Sequence, residues 1–421
     1  MFRYVLKNYM NNNNNRVLII RHFSSVNANA NFNDKTIELH ITKNNTTTKH
    51  SFPFVWLRDN CKCDACLHKA SSSRIINWEQ FDLNVKPKSV EYHNERKILK
   101  IKWNDKDEHI SEFSYEWLEA RNFSKSNREE YLKKFYCLPK KLWGKNEYSS
   151  AMEYFDFTKI LESDLELYKW LKSFSINGIA TITGVSSTEN EVRKIADRVG
   201  FIRKTHYGEE FMVKAKDNTS NVAYLSSNLQ MHTDLPYYEY VPGVNLLHCL
   251  VQSKSDGAQN LLVDGFYIAE KLRKEYPKEF KLLTTVLIDW SDIGQEDEKS
   301  FHSIYRAPMI CTDYDGRLTR INHSIPQRDS FFAVPIEEVQ EWYKALSLFI
   351  KLIYDEAIEL KTKEGTILCF DNRRAVHGRK QYIDTDDNCR HIIGAYLDWD
   401  EIYSKLRVLQ KKYDENFKYV I

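Results

Sequence analysis

The stretch HTDLPYYEY, residues 232–240, carries a pair of metal-binding side chains and decides which fold we expect for most of the chain. His232 and Asp234 flank a single threonine, so on an extended strand their side chains project from the same face. A third ligand is available in His377, which follows the strand candidate GTILCF. Two histidines and one carboxylate form the facial triad of non-heme iron(II) sites, which leaves adjacent coordination positions open. We therefore expect these three residues to bind Fe(II) and to be catalytic, against the alternative of a chance H-x-D motif.

Arg390 lies a short distance beyond His377, where the next strand can return alongside the metal ligands. A guanidinium group can hold a carboxylate through two parallel hydrogen bonds. A dicarboxylate held at one end by Arg390 could chelate the metal ion with its other end, which is the arrangement that 2-oxoglutarate requires. We therefore expect 2-oxoglutarate as a co-substrate beside the Fe(II).

The segment CKCDAC places Cys61, Cys63 and Cys66 close enough together to converge on one ion. Zn(II) in structural sites prefers sulfur and imidazole ligands in a closed tetrahedron. The spacing leaves the fourth ligand open between His68, which is nearest in the chain, and His109, which a sheet could bring back. Unligated thiols are the alternative. A filled tetrahedron would stabilise a small domain without taking part in a reaction.

The composition excludes several classes of protein. Among 421 residues, 61 Lys and Arg nearly balance 59 Asp and Glu, and a formal charge of +2 offers no field that would gather nucleic acid or an acidic membrane. The eight cysteines are partly clustered and otherwise scattered, which indicates a reducing compartment rather than a disulfide framework. The sequence has no run of about 18 apolar residues, so we expect no membrane span.

Local patterns divide the chain into four regions. Residues 1–33 contain recurring arginines and no acidic residue, which is typical of a mitochondrial targeting peptide, with a disordered head as the alternative. Residues 34–120 alternate apolar and polar positions and predict a small antiparallel β domain. Residues 121–150 are polar and charged, and we interpret them as a connector. Residues 151–421 combine strand candidates with amphipathic helices, which predicts an α+β domain.

The clearest helix of the last region is IEEVQEWYKALSLFIKLIYDEA. It places Val339, Trp342, Leu346, Phe349 and Ile353 on one face, which predicts a helix packed on a core. The strand candidates of the region 151–421 are GIATITGV, GVNLLHCL, NLLVDG and GTILCF.

Six segments occur together in an order and spacing that chance does not explain. They are FVWLRDNCKCDAC, NDKDEHISEF, NVAYLSSNLQMHTDLPYY, LLVDGFY, FDNRRAVHGR and RHIIGAYLDWD. They resemble the carnitine-biosynthesis oxygenases, the family of γ-butyrobetaine dioxygenase and trimethyllysine dioxygenase, from about residue 35 to the C-terminus. The resemblance implies a zinc-binding β domain followed by a double-stranded β-helix, or jelly roll, that holds iron.

The resemblance also implies roles for individual residues. By position it assigns Cys61, Cys63, Cys66 and His109 to zinc; His232, Asp234 and His377 to iron; Arg390 and Asn221 to 2-oxoglutarate; and Tyr207, Phe211, Tyr224, Asn322 and Tyr396 to the substrate. Both family substrates carry a trimethylammonium group, which is best held against aromatic faces. Phe211 stands where the γ-butyrobetaine enzyme has a tryptophan, and Leu235 where it has a tyrosine, so the expected cage has a different shape. Tyr237, Tyr238 and Tyr240 are expected in packing rather than in the cage.

The implied activity is hydroxylation of a quaternary-ammonium substrate. RLTRINHS, IDWSDIG and GAYLDWDEIYSKLRVLQ favour γ-butyrobetaine, hydroxylated at C3 to L-carnitine with 2-oxoglutarate and O2, giving succinate and CO2. The targeting peptide and LLVDGFYIAE favour the alternative, 3-hydroxylation of N6-trimethyllysine. A catalytically silent interaction protein is the alternative from another class. The family further implies ascorbate, a homodimer and the mitochondrial matrix, with the cytoplasm as the alternative location.

Overall fold

A computed structural model describes residues 25–105, 109–136, 138–214, 225–296, 299–385, 388–414 and 417. The described chain divides into two compact units, the first up to Tyr136 and the second from Leu138 onward. The segment predicted as a connector, 121–150, contributes to both, because one helix lies in each part of it. No helix among the described residues is long and apolar enough to cross a membrane.

The first unit consists of short strands and turns. Its strands are β1 (Ser25–Asn31), β2 (Thr36–Lys43), β3 (Thr46–Pro53), β4 (Leu67–His68), β5 (Ser73–Arg74), β6 (Pro87–His93), β7 (Ile98–Trp103) and β8 (Ile110–Ser114). Its helices are α1 (Phe54–Asp59), α2 (Tyr115–Glu119) and α3 (Lys125–Tyr131), with a 3-10 turn at Trp78–Gln80 and a π-helical turn at Leu132–Tyr136.

Two antiparallel three-stranded sheets, β1-β2-β3 and β6-β7-β8, build this unit. The alternation predicted for ILKIKW is seen in β7, where Leu99, Ile101 and Trp103 are buried between partly exposed residues. Strand β1 lies inside the segment 1–33 that the sequence predicts as a targeting or disordered head. Its register with β2 and its buried Val26 make residues 25–31 part of the folded unit, so the predicted limit at Asn33 is too far along the chain.

The second unit mixes strands and helices, and the predicted α+β content is confirmed. Its strands are β9 (Glu153–Asp156), β10 (Ile179–Thr183), β11 (Glu210–Val213), β12 (Leu229–His232), β13 (Val244–Val251), β14 (Asn260–Asp264), β15 (Ile288–Glu296), β16 (Lys299–Ala307), β17 (Ile310–Thr312), β18 (Leu318–Ile321), β19 (Ile358–Leu360), β20 (Thr366–Asp371), β21 (Ala375–Arg379) and β22 (His391–Leu397). Its helices are α4 (Tyr148–Ala151), α5 (Phe157–Glu162), α6 (Asp164–Asn177), α7 (Glu191–Val199), α8 (Gly265–Glu275), α9 (Pro277–Thr285), α10 (Ile336–Asp355) and α11 (Trp399–Tyr413).

Two sheets of this unit position the candidate site. One has the strand order β11-β22-β13-β20-β10-β9, and the other has the order β12-β21-β14-β19. Their pairings are antiparallel except for β9 with β10. Strands that are neighbours in a sheet are often far apart in the sequence, as β13 and β22 are. This topology brings residues from distant parts of the chain together.

Helices cover both sheets. Helices α5, α6, α7 and α11 pack on the six-stranded sheet, where Leu246 of β13 and Ile393 of β22 enter a shared apolar cluster. The helix predicted from IEEVQEWYKALSLFIKLIYDEA is confirmed as α10, and Trp342, Phe349 and Ile353 on its predicted face are buried. This helix belongs to a second cluster, together with α8 and α9.

Candidate active site

The two candidate histidine ligands face each other across a pair of strands. His232, the last residue of β12, is the register partner of His377 in the middle of β21. Their rings lie 4.3 Å apart between centroids. The sequence predicts His377 just beyond a strand, whereas the structure places it within one, because GTILCF and AVHGR form two successive strands, β20 and β21.

Asp234 joins the two histidines by a turn rather than along a strand. Strand β12 ends at His232, and Leu235 adopts a left-handed backbone with φ 53°, which is uncommon for a residue with a branched side chain. The expectation that His232 and Asp234 share one face of an extended strand is therefore wrong, although their side chains meet. Oδ1 of Asp234 lies 3.2 Å from Nε2 of His232 and 3.5 Å from Nε2 of His377.

This donor set fits a divalent metal ion. All three candidate ligand atoms lie within 4.8 Å of one another. Adjacent ligands of an octahedral ion with bonds of roughly 2.1 Å are about 3 Å apart, close to the distances between Oδ1 and the two Nε2 atoms. Nδ1 of His232 donates to the carbonyl oxygen of Gln230 at 2.8 Å, which orients the ring so that Nε2 faces Asp234 and His377.

The pKa values of Asp234 and His377 favour the protonation states in which these side chains bind a cation. Burial raises the pKa of Asp234, but the neighbouring His377 and His232 outweigh burial and hold that pKa well below its usual range. Burial, reinforced by the nearby His232, lowers the pKa of His377 to about 3. Asp234 is therefore ionised and His377 neutral at physiological pH, which are the forms that ligate metals.

Arg390 is a buried cation beside this cluster. It is 4% exposed and lines a cavity of about 220 Å³ together with the three candidate metal ligands. Burial, reinforced by Arg379, lowers the pKa of Arg390 to about 10. Its Nε atom has no hydrogen-bond partner among the described residues. An unpaired buried charge is costly, so this part of the cavity favours an anionic ligand, as the sequence argument for 2-oxoglutarate requires.

Aromatic rings form another part of the cavity wall. Tyr207, Phe211, Tyr237 and Tyr396 all line it. The ring of Phe211 lies 4.9 Å from that of Tyr396 and 6.5 Å from that of Tyr207. Such faces attract a quaternary ammonium group, which offers no hydrogen-bond donor.

A glycine makes room for this wall. Phe211 of β11 is the register partner of Gly394 on β22. A Cβ atom at position 394 would lie 2.2 Å from the Phe211 ring. The ring therefore lies directly over the glycine, and any side chain at that position would displace it.

One of the predicted substrate residues, Asn322, is not brought to the cavity. Asn322 is absent from its lining, because the Asn322 Nδ2 group donates to the carbonyl oxygen of Pro308 at 2.8 Å and the side chain is buried in the protein. Asn221 and Tyr224 lie outside the described residues.

Among the residues that line the cavity, a tyrosine and an arginine stand out because the sequence argument did not assign them to the site. Tyr237, expected only in packing, lines the cavity, whereas Tyr240 is 72% exposed. Arg379 lines the cavity as a second buried arginine, and its Nη2 group donates to the carbonyl oxygen of Ser227 at 3.1 Å. The period of two along a strand is a signal that could have found Arg379, because it lies two residues after His377.

A second cluster of possible metal ligands lies in the first unit. Nε2 of His109 lies 3.1 Å from Sγ of Cys61 and 3.5 Å from Sγ of both Cys63 and Cys66. Nitrogen and sulfur ligands of a tetrahedral zinc ion are about 3.6 Å apart, given bonds of roughly 2.1 and 2.3 Å. His68, the other candidate, instead pairs its Nδ1 with the Ser71 hydroxyl at 2.7 Å.

The sequence matches two known families. Residues 139–396 match the family described as taurine catabolism dioxygenase TauD, TfdA family. The chain belongs to this dioxygenase family. Residues 30–119 match a second family, described as gamma-butyrobetaine hydroxylase-like, N-terminal.

Individual proteins are similar to this TauD, TfdA family dioxygenase over most of its length. Human gamma-butyrobetaine dioxygenase is 37% identical over 363 residues, which cover 86% of this chain and 92% of the relative. Mouse trimethyllysine dioxygenase, mitochondrial, is 30% identical over 376 residues, which cover 88% and 86%. Gamma-butyrobetaine dioxygenase of Pseudomonas sp. (strain AK-1) is 29% identical over 364 residues, which cover 86% and 91%. The predicted resemblance and the predicted class, an Fe(II)- and 2-oxoglutarate-dependent dioxygenase, are confirmed.

Proposed function

We propose that this dioxygenase hydroxylates γ-butyrobetaine at C3 to give L-carnitine, the final product of carnitine biosynthesis. 2-Oxoglutarate and O2 are the co-substrates, and succinate and CO2 are the co-products. The higher identity to the human enzyme named for γ-butyrobetaine than to the mouse enzyme named for trimethyllysine supports this substrate. The observation that carries the proposal is the cavity in which two cross-strand histidines and an aspartate meet a buried arginine and an aromatic wall.

Each side of the cavity has a proposed role. Nε2 of His232, Nε2 of His377 and Oδ1 of Asp234 would hold Fe(II). Arg390 would bind the carboxylate of 2-oxoglutarate that is remote from the metal, because its buried charge has no ion-pair partner among the described residues. The family resemblance adds Asn221 as a contact to 2-oxoglutarate.

When bound, iron(II) with 2-oxoglutarate and O2 supplies the oxidation that replaces a C–H hydrogen of the substrate by hydroxyl. The protein's own contribution is positioning. Tyr207, Phe211 and Tyr396 hold the trimethylammonium end by cation–π attraction, and the family resemblance adds Tyr224. Fixing the cationic end limits which carbon of the flexible substrate lies beside the metal ligands.

We propose a double-stranded β-helix as the finer description of the second unit. The four-stranded sheet supplies His232 and His377, and the six-stranded sheet supplies Phe211 and Tyr396. The shared cavity between mainly antiparallel sheets supports this description.

We propose a structural Zn(II) site for Cys61, Cys63, Cys66 and His109. The donor distances and the closed set of four protein ligands support it. Arg58 adds support, because its Nη1 lies 3.4 Å from Sγ of Cys66 and stabilises a thiolate there.

Location and assembly are proposed from the composition and the family. The arginine-containing, acid-free start of the chain and the mouse relative named mitochondrial support the mitochondrial matrix, with the cytoplasm as the alternative. The family supports a homodimer and a requirement for ascorbate. Cell fractionation, light scattering and assays with and without ascorbate test these three points.

One competition assay tests the activity. Purified protein is incubated with Fe(II), 2-oxoglutarate and equal concentrations of γ-butyrobetaine and N6-trimethyllysine, and both hydroxylated products are measured with succinate. L-Carnitine should dominate and should be lost in His232→Ala. Preferential hydroxylation of trimethyllysine would replace the proposed substrate with its alternative. Absence of any succinate above the His232→Ala background would refute the enzymatic function.

A further inference from the structure

Asp234 has two carboxylate oxygens with different surroundings. Oδ1 faces Nε2 of both His232 and His377. Oδ2 instead accepts hydrogen bonds from Nδ2 of Asn245 at 2.7 Å and from the hydroxyl of Tyr396 at 3.0 Å. Because two donors occupy Oδ2, one oxygen is directed to the metal position and the other is held away from it.

The two donors reach Oδ2 from neighbouring strands. Asn245 on β13 and Tyr396 on β22 are register partners, so their side chains leave the same face of the six-stranded sheet side by side. The backbone of Asp234 is fixed separately, because its N–H donates to Oδ1 of Asn372 at 2.8 Å and its carbonyl accepts from Nδ2 of Asn372 at 3.0 Å. Backbone and carboxylate are thus oriented by different residues.

The environment of Asn245 argues against a purely structural role. The residue is fully buried, and its Oδ1 atom has no hydrogen-bond partner among the described residues. A buried amide oxygen without a partner costs stability, and an apolar residue of the same size would avoid that cost. The hydrogen bond to Asp234 is therefore the benefit that accounts for an amide at this position.

We infer that Asn245 and Tyr396 are positioning residues that hold Asp234 as a one-oxygen metal ligand. The inference rests on the proposed function, since it concerns the metal site of that function. With Oδ2 occupied, the carboxylate takes one coordination position instead of two, and positions needed by the co-substrate and O2 stay open. Tyr396 acts at two places, because its ring belongs to the aromatic wall while its hydroxyl orients the metal ligand.

The test measures metal binding without turnover. Zinc-loaded, iron-free protein is titrated with MnCl2, and Asn245→Leu, Tyr396→Phe and the double variant are compared with the unmodified chain. Loss of an outer hydrogen bond to a metal ligand typically weakens metal affinity about 10- to 100-fold, so each single variant should raise the Mn(II) Kd at least about tenfold. The double variant should exceed both, because Oδ2 then has neither donor.

Thermal unfolding separates positioning from structure. Asn245→Leu should keep or raise the unfolding midpoint while it weakens Mn(II) binding, because it removes an unpaired buried oxygen. The matched control is Tyr168→Phe, which removes a buried hydroxyl that lies 3.4 Å from Oδ2 of Asp414, remote from the metal ligands. This control should bind Mn(II) like the unmodified chain.

A Co(II) spectrum gives a second readout, since the intensity of its visible bands falls as the coordination number rises. The double variant should bind Co(II) with the weakest visible bands and each single variant with intermediate ones, because the carboxylate can bind through both oxygens as Oδ2 loses its donors. Mn(II) affinities within twofold of the unmodified chain in all three variants, with unchanged Co(II) spectra, would overturn the inference. Mn(II) binding that survives Asp234→Ala would instead refute the proposed metal site itself, and this inference with it.

Discussion

The two clusters of metal ligands in this molecule differ in what surrounds them. In the first unit, three cysteines and His109 supply four donor atoms, enough to fill a tetrahedron. In the second unit, His232, Asp234 and His377 supply three donor atoms and line a cavity with a buried arginine. The first set of ligands, the closed cluster, suits a structural ion whose coordination is complete. The second set, the open cluster, suits an ion that must accept further ligands.

Protonation sharpens this contrast. Burial, reinforced by the nearby Cys61, raises the pKa of the Cys66 thiol to about 12, so without metal this ligand is protonated at neutral pH. In the open cluster the pKa of Asp234 and that of His377 are lowered, so these ligands are already deprotonated. Cys66 becomes a ligand only when a metal ion displaces its proton, whereas Asp234 and His377 are already in the forms that bind a metal.

The largest expected effect is the loss of activity when a metal ligand of the open cluster is removed and the closed cluster is left intact. His232→Ala should lower succinate formation by roughly 1000-fold or more, because loss of metal catalysis removes several kcal/mol of transition-state stabilisation. Zinc content, measured by elemental analysis of the same sample, should not change. Cys66→Ser is the matched control. It should lose zinc from the closed cluster and still bind Mn(II) at the open cluster. A single variant that empties both clusters would break the distinction.

A smaller effect is expected beside the open cluster. Arg390→Met keeps the side-chain volume but removes the charge, and should raise the KM for 2-oxoglutarate about 100-fold, since breaking a buried charge pair costs several kcal/mol. The KM for γ-butyrobetaine should change little. Without 2-oxoglutarate the variant should unfold at the same or a higher temperature, because the buried guanidinium then has no anion. An unchanged KM for 2-oxoglutarate would remove Arg390 from its proposed role.

The aromatic wall should respond more weakly. Gly394→Ala places a methyl group where the Phe211 ring lies, and overpacking of this kind costs about 1–3 kcal/mol. The KM for γ-butyrobetaine should rise about tenfold while the KM for 2-oxoglutarate stays constant. Gly316→Ala is a control for lost stability away from the wall, because the φ of 76° at Gly316 strains an alanine although no atom lies within 4 Å of the added Cβ. Equal effects of the two substitutions on the γ-butyrobetaine KM would contradict the assignment of the wall.

The smallest expected effect is a difference in pH dependence. Zn(II) must displace the proton of Cys66, so zinc affinity should increase from pH 7 to pH 8 by up to about tenfold for each proton released. Mn(II) affinity at the open cluster should change less, because Asp234 and His377 carry no proton in this range. Competition titrations with a metal-sensitive dye at both pH values measure the two slopes. A steeper slope for Mn(II) would contradict the described protonation states.

Much of this arrangement could be predicted from the sequence because the residue types are unusual. The triple cysteine, the H-x-D motif and a distant H-G-R define metal ligands by their chemistry. Helix α10 could be predicted because its apolar period extends over 20 residues. Each metal-ligand motif is recognisable within a short segment, and the helix is recognisable because its apolar period is long and regular.

The remaining features depend on tertiary structure. The turn that carries Asp234 follows from a left-handed Leu235, which sequence does not reveal because leucine rarely adopts that conformation. Strand β1 was missed because its alternation of valine, alanine and asparagine is weak, and only pairing with β2 buries Val26. Asn322 was assigned to the substrate by resemblance, whereas its amide is held by the Pro308 carbonyl.

The central claim is that His232, Asp234 and His377 hold one ferrous ion with space beside it for a keto acid. Anaerobic titration of the zinc-loaded protein with Fe(II) and 2-oxoglutarate tests it most directly, because an α-keto acid chelated to Fe(II) gives a visible charge-transfer band. We predict a band that requires both additions, disappears in Asp234→Ala and persists in Cys66→Ser. A band that persists in Asp234→Ala, or its absence from the unmodified protein, would contradict the account.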